Sequence, residues 1–142
     1  LPEVVVAGAI LALFVAGSVA TMAQINRWAC AARLRTLALA LVQQKTDEIQ
    51  MTPWQVRGTR PAILTAGTAT EASLPLNNDN FNTATGLSSA FTELDTPINA
   101  TRTTVVTDVP PRTVRAVVTV NFTYRSRPYS ISFTTLRATD DI

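Results

Sequence analysis

The sequence predicts an α+β fold: a long N-terminal helix, its apolar half protruding and its amphipathic half packed, against a C-terminal antiparallel β-sheet. Three observations carry this. No charged side chain occurs from Val4 to Ala23, a run of about the twenty residues that a helix needs to cross a bilayer core. Apolar residues then recur at three- and four-residue steps as far as Gln50, which is helical period. The final third alternates apolar and polar residues with period two, the pattern of half-buried strands. With 142 residues, the chain is long enough for one domain with a modest core. The expected organisation is an apolar helix segment at 1–23, its amphipathic continuation at 24–52, a loop-rich connector at 53–101 and a sheet region at 102–142. Residues 24–142 are expected to form one head.

The first element is "LPEVVVAGAILALFVAGSVATMA", headed by a single carboxylate, Glu3. A cleaved signal peptide carries basic residues before its apolar core and a small-residue cleavage site after it. Here an acid precedes the core and the helical pattern continues beyond it, so the segment is expected to be retained, with any basic leader already removed. The second element, "QINRWACAARLRTLALALVQQKTDEIQ", places Ile25, Trp28, Ala29, Ala32, Leu39 and Val42 on an apolar face. Thr52-Pro53 closes it, because the residue before proline is pushed out of the α region. Together the two stretches predict one helix of nearly fifty residues, roughly 70 Å at about 1.5 Å per residue. Gly8 and the Gly17-Ser18 pair are its points of flexibility, since a Gly/Ser pair is a recognised place for a kink.

From Trp54 to Asn99 the sequence reads as loop. "TAGTATEAS" (residues 65–73) and "NNDNFNTATG" (residues 77–86) are small, polar and rich in turn residues. A short strand or helical turn fits residues 87–94. Thr65, Thr68, Thr70 and Ser73 are candidate O-glycan acceptors, against which stands the plainer reading of a solvated loop. Asn99-Ala-Thr101 and Asn121-Phe-Thr123 match the N-glycosylation sequon, although the second falls inside a predicted strand.

The sheet begins with "TTVVTDV", residues 103–109, stopped by Pro110-Pro111. In "RTVRAVVTVNFTYR" Val114, Ala116, Val118, Val120, Phe122 and Tyr124 fall on one face, and Arg115, Thr119, Asn121, Thr123 and Arg125 on the other. "PYSISFTTLR" continues the alternation with Tyr129, Ile131 and Phe133. The link Ser126-Arg127-Pro128 makes these last two strands a hairpin. One apolar sheet face needs a cover, and the helix supplies it. Trp28, Ala32, Leu39 and Val42 are expected to pack on Val118, Val120, Phe122, Ile131 and Phe133.

Composition excludes several functions. There is no histidine, the commonest general base and metal ligand. Cys30 is the only cysteine, so neither an internal disulfide nor a thiolate metal cluster can form; it is read as a small apolar helix residue. No catalytic constellation emerges, and the chain is not expected to be an enzyme. A net charge of +2 does not by itself argue for nucleic acid. Arg102, Arg112, Arg115, Arg125, Arg127 and Arg137 concentrate in the sheet region, which leaves a DNA- or surface-binding stripe as a reading of another class; a solvated polar face is favoured over it.

At "LPEVVVAGAILALFVAG" the chain resembles the type IV pilins and the pseudopilins of type II secretion. Their mature N-terminus sets an aliphatic pair and a glutamate at the head of an apolar helix. Leu1-Pro2-Glu3 fits the last three positions of that motif, which implies that one or two mature residues precede Leu1. The motif covers about the first thirty residues. Beyond them the likeness is one of architecture, with the final hairpin similar to the C-terminal strands of minor pilins and pseudopilins. The resemblance implies a homopolymeric helical filament assembled through Glu3, Val4, Val5, Ile10, Leu11 and Phe14. Glu3 would neutralise the N-terminal amine of a neighbouring subunit. It implies residence in a bacterial inner membrane before assembly and in an extracellular filament afterwards. The implied partners are a motor ATPase, a membrane platform protein and a prepilin peptidase. A minor pilin or pseudopilin that primes or tips a filament is the alternative.

Two features depart from that pattern. The apolar run lacks the proline at which many pilin helices open, so either Gly17-Ser18 takes that part or the helix is continuous. The chain also cannot close a C-terminal disulfide loop. Major pseudopilins often use calcium there, and Asn77, Asp79, Asn80, Asp140 and Asp141 bear suitable oxygens. Their spacing matches no defined calcium loop, so no cofactor is expected.

Overall fold

The computed structural model describes residues 2–55, 59–76 and 98–140. Helix α1 runs from Pro2 to Met51. A single 3-10 turn, Ala62–Leu64, follows, then strands β1 (Gly67–Pro75), β2 (Asn99–Val109), β3 (Thr113–Tyr124) and β4 (Arg127–Ala138). The strands form one antiparallel sheet in the order β1-β2-β3-β4. The fold is therefore α+β, one long helix followed by an antiparallel sheet. The chain divides into two units, Leu1–Arg33 and Leu34–Ile142.

In the first unit α1 is helical through Gly17 and Ser18. The Ser18 hydroxyl donates to the Phe14 carbonyl at 2.8 Å, and the Thr21 hydroxyl to the Gly17 carbonyl at 2.8 Å. These bonds back along the helix let hydroxyls sit in an apolar surround with no outside partner. Every residue from Pro2 to Ala29 is exposed.

In the second unit the helix has one buried stripe, Leu34, Ala38, Val42, Thr46 and Ile49. It packs with Val114, Ala116, Val118, Val120 and Phe122 of β3 and with Ala100 and Val106 of β2, all buried. This corrects part of the predicted face. Val42, Val118, Val120 and Phe122 are in the core and Ile131 is half-buried, but Leu39 is 42% exposed and Phe133 51%. In the first unit Ala32 is also exposed, and Trp28 is 65% exposed. The stretch around Leu37-Ala-Leu-Ala-Leu41 is apolar on every side, so its period could not select the buried stripe. Phe133 lies opposite Val118 and so on the helix side of the sheet. It is uncovered because β4 is an edge strand. A helix about 10–12 Å across cannot roof four strands spaced about 4.8 Å apart.

A second correction concerns "TAGTATEAS". Residues 67–75 form β1, not loop, and pair with β2 from Gly67↔Val106 to Pro75↔Asn99, with a register shift between Glu71 and Leu74. Threonine is a good strand former, but the intervening Gly and Ala give no apolar alternation to recognise. Thr68, Thr70 and Ser73 are thus exposed on an edge strand and Thr65 just ahead of it. The strand or turn expected at 87–94 lies outside the described residues. The β3–β4 turn is also displaced by one residue. Arg125 and Ser126 occupy it at φ 49° and 61°, the left-handed pair that a two-residue hairpin demands.

Candidate functional site

Two places combine unusual chemistry with defined geometry. The first is the N-terminal half of α1. Glu3 stands in the first turn, where a carboxylate faces the positive end of the helix dipole. Behind it Val4, Val5, Ile10, Leu11 and Phe14 are 74, 70, 50, 65 and 72% exposed. This helix is long and apolar enough to cross a membrane, with a mean hydropathy of 2.4 over its most apolar window. Its surface is not uniform. Ile10, Leu13, Phe14, Gly17, Ser18 and Thr21 line one shallow depression, and a Cβ added at Gly8 or Gly17 would meet nothing. A notch beside the Phe14 ring is the kind of relief into which another helix sets a side chain.

The second is the seam between α1 and the sheet in the second unit. Arg102 lies on the helix side of β2 and is 8% exposed. Its Nε donates to Glu71 Oε2 at 2.9 Å, and its Nη1 donates to the Leu41 carbonyl of α1 at 3.0 Å. Lys45 reaches Glu71 at 3.4 Å and Glu48 at 2.8 Å. Burial alone would raise the Glu71 carboxyl, but the hydrogen bond and charge of Arg102, helped by Lys45, hold it below the usual carboxylate range. The cluster ties α1, β1 and β2 together, and every charge in it has a partner.

Farther along, Gln50 Nε2 donates to the Leu136 carbonyl at 3.0 Å and to the Thr135 hydroxyl. Trp54 and Asp140 exchange bonds: the Trp54 N–H donates to Asp140 Oδ2 at 2.7 Å, and the Asp140 N–H to the Trp54 carbonyl at 2.8 Å. The Trp54 amide, with Arg137, keeps the Asp140 carboxyl below its ordinary range. Arg60 sits over the Trp54 ring at 5.3 Å and pairs with Asp108, whose carboxyl it holds down. Asp140, weighed above as a calcium ligand, is thus committed to a backbone amide and an arginine. Asn77, Asp79, Asn80 and Asp141 lie outside the described residues. No cluster of three or more metal-ligating His, Cys, Asp or Glu side chains occurs among the described residues.

The arginines weighed above as a binding stripe separate. Arg102 and Arg137 lie on the helix side of the sheet and serve Glu71 and Asp140. Arg115 is exposed on the opposite face and Arg125 is in the turn. Period-two parity could have separated them, since Arg102 faces Val120 and Arg137 faces Val114 in the register. The cluster joining Lys45, Glu71 and Arg102 had no comparable signal, because its members come from three elements far apart in sequence. Comparison with protein families, characterised proteins and solved structures finds no match.

Proposed function

We propose that this chain is the structural subunit of an extracellular helical filament of the type IV pilus kind. It polymerises through the N-terminal half of α1, with Glu3 neutralising the N-terminal amine of a neighbouring subunit. The observation that carries the reading is a continuous helix that is exposed throughout residues 2–29, bears no charge from Val4 to Ala23 and is headed by one carboxylate. A surface of that character is stable in lipid or against other helices, not in water. An unpaired carboxylate near membrane depth costs about a few kcal/mol or more, and pairing it with an amine relieves much of that cost. An assembly that offers each incoming Glu3 an amine therefore draws subunits from the inner membrane in register. The contact is head-to-tail, and such contacts propagate as open helices. Motor, platform and peptidase are the partners this role requires.

The test is to image native filaments by helical reconstruction and to label them with an antibody to residues 98–140. The expected result is this chain along the whole length, with Glu3→Leu abolishing filaments and leaving the chain in the membrane. Labelling at tips or bases alone would reassign it as a minor pilin or pseudopilin. Filaments of normal length and number from Glu3→Leu cells would falsify the pairing.

A further inference from the structure

The two edges of the sheet are built differently. β1 carries a register shift between Glu71 and Leu74, a left-handed residue at Ser73 (φ 60°) and a proline at position 75. β4 has neither the register shift nor the left-handed residue, and its one proline, Pro128, is the second residue of the strand. It pairs with β3 over its whole length, from Thr113↔Ala138 to Tyr124↔Arg127, without a shift. Its other side is paired with no strand among the described residues. From Pro128 to Leu136 it bears no charge, and Phe133 and Leu136 are 51 and 61% exposed. Edge strands are ordinarily protected by charge, a bulge, an internal proline or a cover. A long, regular, uncharged edge with exposed apolar side chains is a template for a further strand.

We propose that β4 receives the β1 edge of a second copy of this chain, so that the sheets of neighbouring copies join into one antiparallel sheet. Direction, charge and size all favour β1 as the occupant. Strands alternate in direction across the sheet, so β4 runs opposite to β1, and a second copy in the same orientation presents β1 antiparallel to it. The only charges on β4 are Arg127 and Arg137, and the only charge on β1 is Glu71. Pairing β4 with itself about its centre sets arginine against arginine, which is unfavourable; pairing it with β1 sets Glu71 opposite Arg127. In that register Gly67 and Ala69 come opposite Ile131 and Tyr129 on the helix side, small side chains against large ones. The contact is head-to-tail and propagates without closing. It uses only residues of the second unit and so goes beyond the helix-driven polymerisation proposed above.

The test uses the full chain in detergent micelles with Cys30→Ala, which leaves no other thiol. Thr68→Cys and Ser130→Cys are exposed and come opposite each other in this register. Under mild oxidation the double variant is expected to give a disulfide-linked ladder of dimers, trimers and larger species, and each single variant to stay monomeric. Dimers from either single variant would mean a contact other than β4 with β1 and overturn the proposal, as would no ladder from the double variant. Adding Arg127→Glu sets acid against acid and is expected to abolish the ladder, whereas Arg127→Lys keeps it; a ladder that survives Arg127→Glu also overturns the proposal. Circular dichroism checks that each variant is folded. Glu3→Leu is expected to leave the ladder intact, so loss of filaments and loss of sheet pairing are read separately.

Discussion

One helix lies in two environments. From Pro2 to Ala29 every side chain is exposed, whereas from Leu34 to Ile49 every third or fourth is buried against a sheet. The difference teaches what each half is for. The C-terminal half spends its apolar side chains on the chain's own core, so substitutions there register as folding stability. The N-terminal half leaves its apolar side chains exposed, as the surface that the proposed assembly would use. Substitutions there should register as insertion and assembly.

The sharpest way to break this comparison is Ile49→Ala, which truncates a fully buried helix residue. It should cost about 2–5 kcal/mol in thermal or denaturant unfolding of the sheet-bearing unit. Its counterpart, Phe14→Ala, removes a larger side chain and should leave that unfolding transition unmoved, because Phe14 is 72% exposed. A shift with Phe14→Ala as large as that with Ile49→Ala would erase the distinction.

Next in size is Arg102→Ala. It leaves Glu71 without its main partner and removes the guanidinium that ties the Leu41 carbonyl of α1 to β2, and should cost about 1–3 kcal/mol. Acid should act through the same groups. The carboxyls of Glu71, Asp108 and Asp140 all titrate below their ordinary values of 4.5, 3.8 and 3.8. A depressed carboxyl adds stability that is fully present above its ordinary value and lost as pH falls through its folded value. The melting temperature of the second unit should therefore hold flat from neutrality to about pH 5 and fall below about pH 4. A Glu71→Gln variant should start lower and fall less steeply.

The smallest effects come from the exposed positions and run in both directions. Phe133→Thr should change unfolding by no more than about 0.5 kcal/mol, since Phe133 lies on an uncovered edge. Ser126→Gly should stabilise the hairpin by up to about 1 kcal/mol, because Ser126 holds φ 61° and glycine adopts that conformation without a clash with Cβ. Both are measurable by differential scanning against the parent chain.

Much of the fold was legible because its signals are local and periodic. A charge-free run, a helical stripe and a period-two alternation each fix an element without reference to the rest of the chain. The same reasoning missed β1, whose Gly-Thr-Ala-Thr pattern becomes a strand only by pairing with β2. It placed Leu39 on the buried side of the helix, since the almost wholly apolar stretch around it offers no phase to read, and it counted Trp28, which is exposed, among the packed residues. It weighed together six arginines, of which the strand register sets Arg102 and Arg137 on the face opposite to Arg115.

The sequence by itself determined the long helix, the carboxylate at its head and the alternating strands of the final hairpin, because helix and strand periods are set by covalent geometry. Only the tertiary structure decided which helix stripe is buried, that Arg102 and Lys45 meet over Glu71, and that β4 ends the sheet among the described residues. Those outcomes depend on strand order and on how much sheet one helix can cover. They join residues tens of positions apart, and no local pattern records them.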